Sequence, residues 1–196
     1  MRVDVLGVGF DNFTPDEAVQ IAMKLVNGES TSIAVTPNPE IVYIAHKDKQ
    51  LKKILDGAEI VLPDGVGITY GAKILGRPLK GTVPGIDFAS LLMKELADNG
   101  KKLFLFGAKP GIAEKAADSL RQTYPTLDIC GTNDGYFTDS LPIIDKINKS
   151  GADVLFVCLG APKQEKWMAE FKDKLNVKLM VGLGGSLDVF AGTVER

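Results

Sequence analysis

The chain has 196 residues, 45% of them hydrophobic and 24% charged, proportions that predict an ordinary globular protein with room for one large domain. The formal net charge of −2 provides no basic face for neutralising phosphates, so the sequence predicts no nucleic-acid partner. Since His46 is the only histidine, a histidine-based metal centre and a serine–histidine–aspartate triad are both disfavoured.

The N-terminal run and the cysteines indicate the compartment. The first apolar run is short and is broken by Asp4, which is typical of a strand rather than a signal peptide. No uninterrupted apolar stretch approaches the roughly 20 residues that a membrane span needs. Cys130 and Cys158 lie far apart in apolar runs, so buried reduced thiols are favoured over a disulfide. We therefore expect a cytosolic protein that contacts lipid only peripherally.

Strand patterns alternate with helix patterns along the chain. The predicted strands span residues 3–8, 32–36, 59–62, 102–106, 127–130, 153–159 and 178–182. Helices are predicted between them: Thr14, Pro15 and Glu17 give the first a capping box, and Asn38 is the natural cap of the second. This alternation predicts an α/β fold with a Rossmann-like, largely parallel sheet flanked by helices, in a single domain of residues 1–196.

Small and hydrogen-bonding residues follow almost every predicted strand. Because ligands of a parallel sheet collect beyond the carboxyl ends of its strands, these residues are the ones that predict a site. They occupy residues 7–9, 36–38, 63–65, 107–111, 135–136, 160–165 and 182–188.

Each residue at this edge has a functional and a structural interpretation. Asp64 is suited to act as a general base, and equally to cap the helix after it; local sequence favours the cap. Thr36 and Asn38 either orient a sugar hydroxyl or cap the next helix. Residues 107–111 form either a phosphate-binding loop or a plain turn. Gln164 and Glu165 either bind a ligand or pair with their own helix N-terminus. Asp188, like Asp87, is a candidate structural carboxylate.

The order of the motifs is more specific than any one of them. In chain order they are Thr36-Pro-Asn38-Pro-Glu40, Leu62-Pro-Asp64-Gly65-x-Gly67, Pro84-Gly85-x-Asp87, Phe106-Gly107-x-x-x-Gly111, Gly135-Tyr136-Phe137, Gly160-x-Pro162-Lys-Gln164-Glu165 and Gly182-x-Gly184-Gly185-x-x-Asp188-x-x-Ala191-Gly192. This series resembles the WecG/TagA/CpsF glycosyltransferase family over nearly the whole chain, and within it the branch that makes wall teichoic acid.

The resemblance implies an activity and assigns residues to it. It implies inverting transfer of N-acetylmannosamine from UDP to undecaprenyl-pyrophosphate-linked N-acetylglucosamine, through a β-1,4 link, at the inner face of the cell membrane, with no cofactor or bound metal. Asp64 is then the catalytic base, with Thr36 and Asn38 beside the sugar. The implied UDP pocket consists of Gly107, Gly111, Tyr136, Gln164 and Glu165. Residues 1–80 would form the acceptor and catalytic half, and 81–196 the Rossmann-like, UDP-binding half.

Two features depart from the family pattern. Many members carry an arginine where this chain reads Gly81-Thr82-Val83, and members usually continue with a basic segment beyond the position of Arg196. We therefore expect a C-terminally shortened sequence that is less active than an extended one.

Other functions and assemblies remain open. The alternatives are another UDP-hexose transferase of capsule or exopolysaccharide synthesis, and a nucleotide-binding module without enzymatic activity. A UDP-sugar epimerase would need a nicotinamide fingerprint and a Tyr-x-x-x-Lys pair, and the sequence contains neither. A monomer and a homo-oligomer are both compatible with the sequence.

Overall fold

The computed structural model describes residues 2–195, which contain eight strands and nine α-helices. The strands are β1 (Arg2–Val5), β2 (Val8–Asp11), β3 (Ser32–Val35), β4 (Ile60–Val61), β5 (Lys102–Gly107), β6 (Asp128–Asn133), β7 (Val154–Cys158) and β8 (Leu179–Gly182). The helices are α1 (Pro15–Val26), α2 (Pro39–Lys47), α3 (Lys49–Gly57), α4 (Val66–Ile74), α5 (Gly85–Asp98), α6 (Ile112–Thr123), α7 (Leu141–Ser150), α8 (Lys163–Phe171) and α9 (Ser186–Phe190).

Six strands form one parallel sheet in the order β4-β3-β8-β7-β5-β6, which confirms the predicted Rossmann-like α/β fold. Because successive side chains of a strand point to opposite faces, each central strand contributes to the core on both sides. In β5, Leu103 and Leu105 pack on one face, and Phe104 and Phe106 pack on the other. Strands β3 and β4, from the first 80 residues, join the strands of the second half through the pairing of β3 with β8.

Helices cover both faces of this sheet. The buried side chains of α1, α5, α6 and α9 pack on the first face, and those of α2, α3, α4, α7 and α8 pack on the second. Each helix turns one apolar stripe inward, as Ala113, Ala117 and Leu120 do in α6. A crevice opens at the sheet edge where two neighbouring strands lead to helices on opposite faces.

The prediction of a single first strand over residues 3–8 is wrong. Strands β1 and β2 pair antiparallel and form a separate two-stranded sheet, so residues 7–9 do not lie at the carboxyl edge of the parallel sheet. The chain reverses at Leu6 and Gly7, whose φ values of 53° and 89° are those of a two-residue hairpin turn. Apolar residues stand on both sides of this turn, at positions 3, 5, 6, 8 and 10, so the hairpin looks like one strand in the sequence.

The helix caps near the site are confirmed. Thr14 accepts from the Glu17 N–H and Glu17 accepts from the Thr14 N–H, which completes the capping box. The Asn38 side chain accepts from the Ile41 N–H at 2.9 Å and so begins α2 directly after β3.

The predicted strand at 127–130 is longer than expected. Gly131 does not end β6, which continues to Asn133. A Cβ atom at position 131 would lie 2.5 Å from the ring of Phe104, so glycine is required there for close packing between strands rather than for a turn.

Candidate active site

Crevices open at the carboxyl edge of the sheet, where neighbouring strands send the chain to opposite faces. After β5 the chain continues into α6 on the first face, whereas after β7 it continues into α8 on the second. The same divergence separates β8, which leads to α9, from β3, which leads to α2. Ligands of open parallel sheets bind in such crevices.

The crevice between β3 and β8 contains a pocket of about 280 Å³, called the small pocket below. Its polar wall comes from residues that follow three strands or begin α8: Thr36, Asn38, Asp64, Gln164, Gly184 and Gly185. The structure therefore brings together the three residues predicted for catalysis and adds Gln164 to them.

Asp64 is partly buried, and its Oδ2 accepts a hydrogen bond from the Gly85 N–H at 3.1 Å. The expectation that Asp64 caps the helix immediately after it is wrong, because the N-cap of α4 is Gly65. With a φ of +87°, Gly65 turns the chain so that Asp64 faces the start of α5 instead. The carboxylate thus satisfies an N–H of the first turn of α5, where the helix dipole favours negative charge.

Thr36 holds the floor of the small pocket. Its buried hydroxyl donates to the Gly182 carbonyl at 3.1 Å, which ties β3 to the end of β8. It also packs closely on α5, since a Cβ atom at Gly85 would lie 2.9 Å from the Thr36 Oγ1. Asn38 lines the same pocket while its side-chain carbonyl caps α2, so its structural and proposed functional roles coexist.

Gln164 and Glu165 are buried side by side at the start of α8. Gln164 accepts from the Gly184 N–H at 2.9 Å and donates to Oε1 of Glu165 at 2.9 Å. Burial raises the pKa of Glu165, and its Oε2 has no hydrogen-bond partner within residues 2–195. Gln164 lines the small pocket, whereas Glu165 lies beside it and lines neither crevice.

The crevice between β5 and β7 opens into a larger space of about 950 Å³, called the wide cleft below. Its polar and aromatic lining comes from the end of β6 and from segments that follow β5, β6, β7 and β8: Lys109, Asn133, Tyr136, Phe137, Thr138, Asp139, Lys163 and Asp188. Tyr136 is 68% exposed, so its ring is accessible to a ligand. Lys163 lies over the Phe137 ring at 4.6 Å and donates to the Gly135 carbonyl at 3.2 Å, which fixes a cation in the cleft.

Gly107 and Gly111 shape the loop beside this cleft without lining it. At Gly107, φ is +132° and an added Cβ would fall on the carbonyl group of Cys158, 2.8 Å from its Cα. Gly111 is the left-handed N-cap of α6, with φ at +84°. Both glycines permit a sharp strand-to-helix turn that carries Lys109 into the cleft.

Residues 3–196 match the family described as the glycosyl transferase WecG/TagA/CpsF family. This chain belongs to that family. It is 35% identical over 162 residues to an N-acetylglucosaminyldiphosphoundecaprenol N-acetyl-beta-D-mannosaminyltransferase of Bacillus spizizenii strain W23, a match covering 83% of this chain and 63% of the relative. It is 33% identical over 197 residues to the Staphylococcus aureus MRSA252 protein of the same name, covering 100% of this chain and 78% of the relative.

The wide cleft of this family member includes residues to which the sequence analysis assigned no binding role. Lys109, Asn133, Lys163 and Asp188 converge on the wide cleft, although Asp188 was expected to be a structural carboxylate. Lys109, Lys163 and Asp188 fall in the ranges that follow predicted strands, whereas Asn133 was missed because the predicted strand ended at residue 130. In the described part of the chain, no three His, Cys, Asp or Glu residues are grouped as metal ligands.

The two thiols are free, as expected. Cys158 ends β7 in the lining of the wide cleft, where burial raises its pKa to about 12. Cys130 is half-buried, and burial raises its pKa as well. Within residues 2–195, the helices are all too short or too polar to cross a bilayer.

Proposed function

We propose that this chain is an inverting glycosyltransferase that moves N-acetylmannosamine from UDP to undecaprenyl-pyrophosphate-linked N-acetylglucosamine, in the synthesis of the wall teichoic acid linkage unit. The family and the names of its relatives support the reaction class. The observation that carries the proposal is the Asp64 carboxylate, which lines a small polar pocket next to a nucleotide-sized cleft.

The wide cleft is the proposed UDP site. Its volume of about 950 Å³ is at the upper end of the range for small-molecule pockets. The exposed Tyr136 ring offers a stacking surface for the uracil. Lys109 and Lys163 offer positive charge to the diphosphate, and the N-terminus of α6 adds its dipole at the same loop.

The proposed chemistry is a single displacement at the anomeric carbon. Asp64 takes the proton of the acceptor hydroxyl, whose oxygen forms the new bond to C1 of the donor sugar. The bond between C1 and the UDP oxygen breaks, and UDP leaves with the electron pair, so the anomeric configuration is inverted. Thr36 and Asn38 line the pocket in which the sugar would be oriented.

Departure of UDP develops negative charge that must be stabilised. Lys163, held over Phe137 and bonded to the Gly135 carbonyl, supplies a pre-positioned cation for this purpose. Lys109, which follows β5, lines the same cleft. In this proposal no metal ion is required for the leaving group.

The lipid-linked acceptor is proposed to reach the small pocket along α4. This helix begins two residues after Asp64 and exposes Val66, Tyr70 and Ile74, at 78%, 68% and 71%, on one stripe. The exposed Lys73 and Arg77 flank that stripe, as suits a surface that meets anionic lipid at the cytoplasmic face of the membrane.

Binding to liposomes tests the proposed membrane surface. Val66→Ser combined with Tyr70→Ser and Ile74→Ser should reduce sedimentation with anionic liposomes, and salt should weaken binding of the unsubstituted chain. Leu141→Ser is the control, because Leu141 is an exposed leucine on α7. Unchanged sedimentation of the triple variant would remove α4 as the lipid surface.

A donor screen tests the function itself. The chain is incubated with a short-chain lipid-pyrophosphate-N-acetylglucosamine and with UDP-N-acetylmannosamine, UDP-N-acetylglucosamine or UDP-glucose in turn. Transfer from UDP-N-acetylmannosamine alone is the expected result. Preference for another donor would favour a capsule or exopolysaccharide transferase, and UDP binding without transfer to any acceptor would favour a non-enzymatic module.

A further inference from the structure

The Gln164 side-chain amide bridges a hydrogen-bond donor, the Gly184 N–H, and a hydrogen-bond acceptor, the Glu165 carboxyl. The Gly184 backbone N–H is a donor only, so the amide must turn its oxygen toward Gly184, as it does at 2.9 Å. The amide nitrogen then faces Glu165, whose Oε1 accepts from it at 2.9 Å. A reversed amide would set two donors against each other at Gly184.

The carboxyl of Glu165 therefore holds the amide in the orientation that the Gly184 N–H requires. We infer that Glu165 is a positioning residue for the transfer reaction: by accepting from the Gln164 amide, it keeps the Gly184 N–H bonded and the turn at Gly184 and Gly185 in place as one wall of the small pocket. This inference rests on the proposed function, because that pocket is where Asp64 is proposed to act.

The turn at Gly184 and Gly185 is closed locally by Ser186, whose N–H and hydroxyl both donate to the Leu183 carbonyl, at 3.1 and 2.7 Å. Gly184 has a φ of +55°, and a Cβ atom at either glycine would meet no atom within 4 Å, so no neighbouring element packs against this side of the turn. The bond to Gln164 connects the turn to α8, across the crevice from β3. Space for the amide is provided by Gly182, where an added Cβ would lie 3.1 Å from the Gln164 Nε2.

The first turn of α8 also connects the two crevices. Lys163 extends into the wide cleft, and its neighbour Gln164 lines the small pocket. A displaced Gln164 would therefore change the position of the acceptor wall relative to the donor site. Displacements of about 1 Å at an active site can reduce turnover on the order of 100-fold.

Stability alone does not account for a carboxyl at position 165. Glu165 is 1% exposed, its Oε2 has no partner within residues 2–195, and burial raises its pKa. An apolar side chain of similar volume would fill the same space without burying an unsatisfied polar atom. What it would lack is the acceptor for the Gln164 amide.

Two substitutions separate the acceptor role from packing. Glu165→Gln keeps an oxygen that can accept from Gln164, whereas Glu165→Met keeps the length and removes the acceptor. We expect Glu165→Gln to retain kcat to within about threefold, and Glu165→Met to lose about 10- to 100-fold in kcat with little change in UDP affinity. Glu170→Gln and Glu170→Met, on the exposed side of α8, are the matched controls and should leave kcat unchanged.

A second readout is independent of catalysis. Hydrogen exchange of the Gly184 amide should be faster in Glu165→Met than in the unsubstituted chain, and unchanged in Glu165→Gln. Wild-type kcat and Gly184 protection in a folded Glu165→Met variant would overturn the inference, as would equal loss in both variants. If the unsubstituted chain transfers no sugar, the proposed function fails, while the Gly184 exchange rates still decide whether Glu165 holds the turn.

Discussion

The Asp64 carboxylate accepts a hydrogen bond from the Gly85 N–H at 3.1 Å, although the two residues lie 21 positions apart in the sequence. This bond joins the motif after β4 to the motif that begins α5. Only glycine fits at position 85, because the Thr36 hydroxyl would lie 2.9 Å from a Cβ atom there. Three motifs of the family therefore meet in one packed arrangement at the edge of the small pocket.

Asp64→Asn should abolish most transfer without unfolding the chain. Asparagine keeps an oxygen that can accept from the Gly85 N–H, so the midpoint of thermal unfolding should change little. What it removes is the proton acceptor, and positioned general bases contribute on the order of 10²–10⁴ in rate. Initial rates, UDP binding and thermal unfolding are measured on the same preparation.

The control for this variant is Asp98→Asn, at the exposed end of α5. UDP affinity should be unchanged in both variants, because Asp64 lines the small pocket and not the wide cleft. Normal turnover by folded Asp64→Asn would exclude Asp64 as the base.

Tyr136→Ala and Lys163→Met should weaken donor binding in different ways. Loss of the exposed ring removes stacking on the base, so affinity for uridine and for UDP should fall equally, by about tenfold. Loss of the Lys163 charge should weaken UDP by about tenfold and leave uridine unchanged.

Calorimetry with both ligands distinguishes the two effects. Lys94→Met, on α5, is the control, since Lys94 lies away from the wide cleft. If Lys163→Met weakened uridine as much as UDP, Lys163 would be supporting the base rather than the diphosphate.

Gly107→Ala should destabilise the chain far more than Gly111→Ala. An added Cβ at Gly107 meets the carbonyl group of Cys158, and the backbone φ of +132° is unfavourable for alanine, so we expect a loss of at least about 3 kcal/mol. At Gly111 the space is open and only the positive φ opposes alanine, which costs about 1–2 kcal/mol. Urea unfolding compares the two variants, and equal losses would contradict the packing argument.

The sheet was largely predictable because its strands are apolar runs bounded by glycine and proline. The strand order was not, because β8 inserts between β3 and β7, and its pairing with β3 joins residues more than 100 positions apart along the chain. The hairpin turn at Leu6 and Gly7 was missed because apolar residues flank it closely on both sides.

The site was predictable as a set of motifs but not as a geometry. Local sequence favoured Asp64 as a cap, and tertiary structure turned it toward Gly85 instead. Lys163 and Asp188 each follow a predicted strand, but the sequence does not show that they share one cleft, since they meet only when β7 and β8 pair side by side.

Cys158 should be unreactive toward a thiol reagent until the chain unfolds. With a pKa of about 12, only about one molecule in ten thousand carries the Cys158 thiolate at about pH 8, and the side chain is buried as well. Cys130 is half-buried and should react first but slowly, because burial raises its pKa too. A Cys130→Ser variant isolates the signal of Cys158, and rapid labelling of that folded variant would contradict its placement in the core.

Glu165→Gln should stabilise the chain by an amount that grows as the pH rises. Burial raises the pKa of Glu165 above its ordinary value of 4.5, so the folded chain holds this proton more tightly than the unfolded chain does. Its contribution to stability is therefore complete below pH 4.5 and is lost as the pH rises through the pKa of the folded state. Glutamine does not titrate, so the stability of the variant does not fall with rising pH in this way.

The free energy of unfolding of both proteins is measured in urea from about pH 4 to about pH 9, with Glu170→Gln as the exposed control. A difference between Glu165→Gln and the unsubstituted chain that stays constant across this range would mean that Glu165 titrates alike in the folded and unfolded chain.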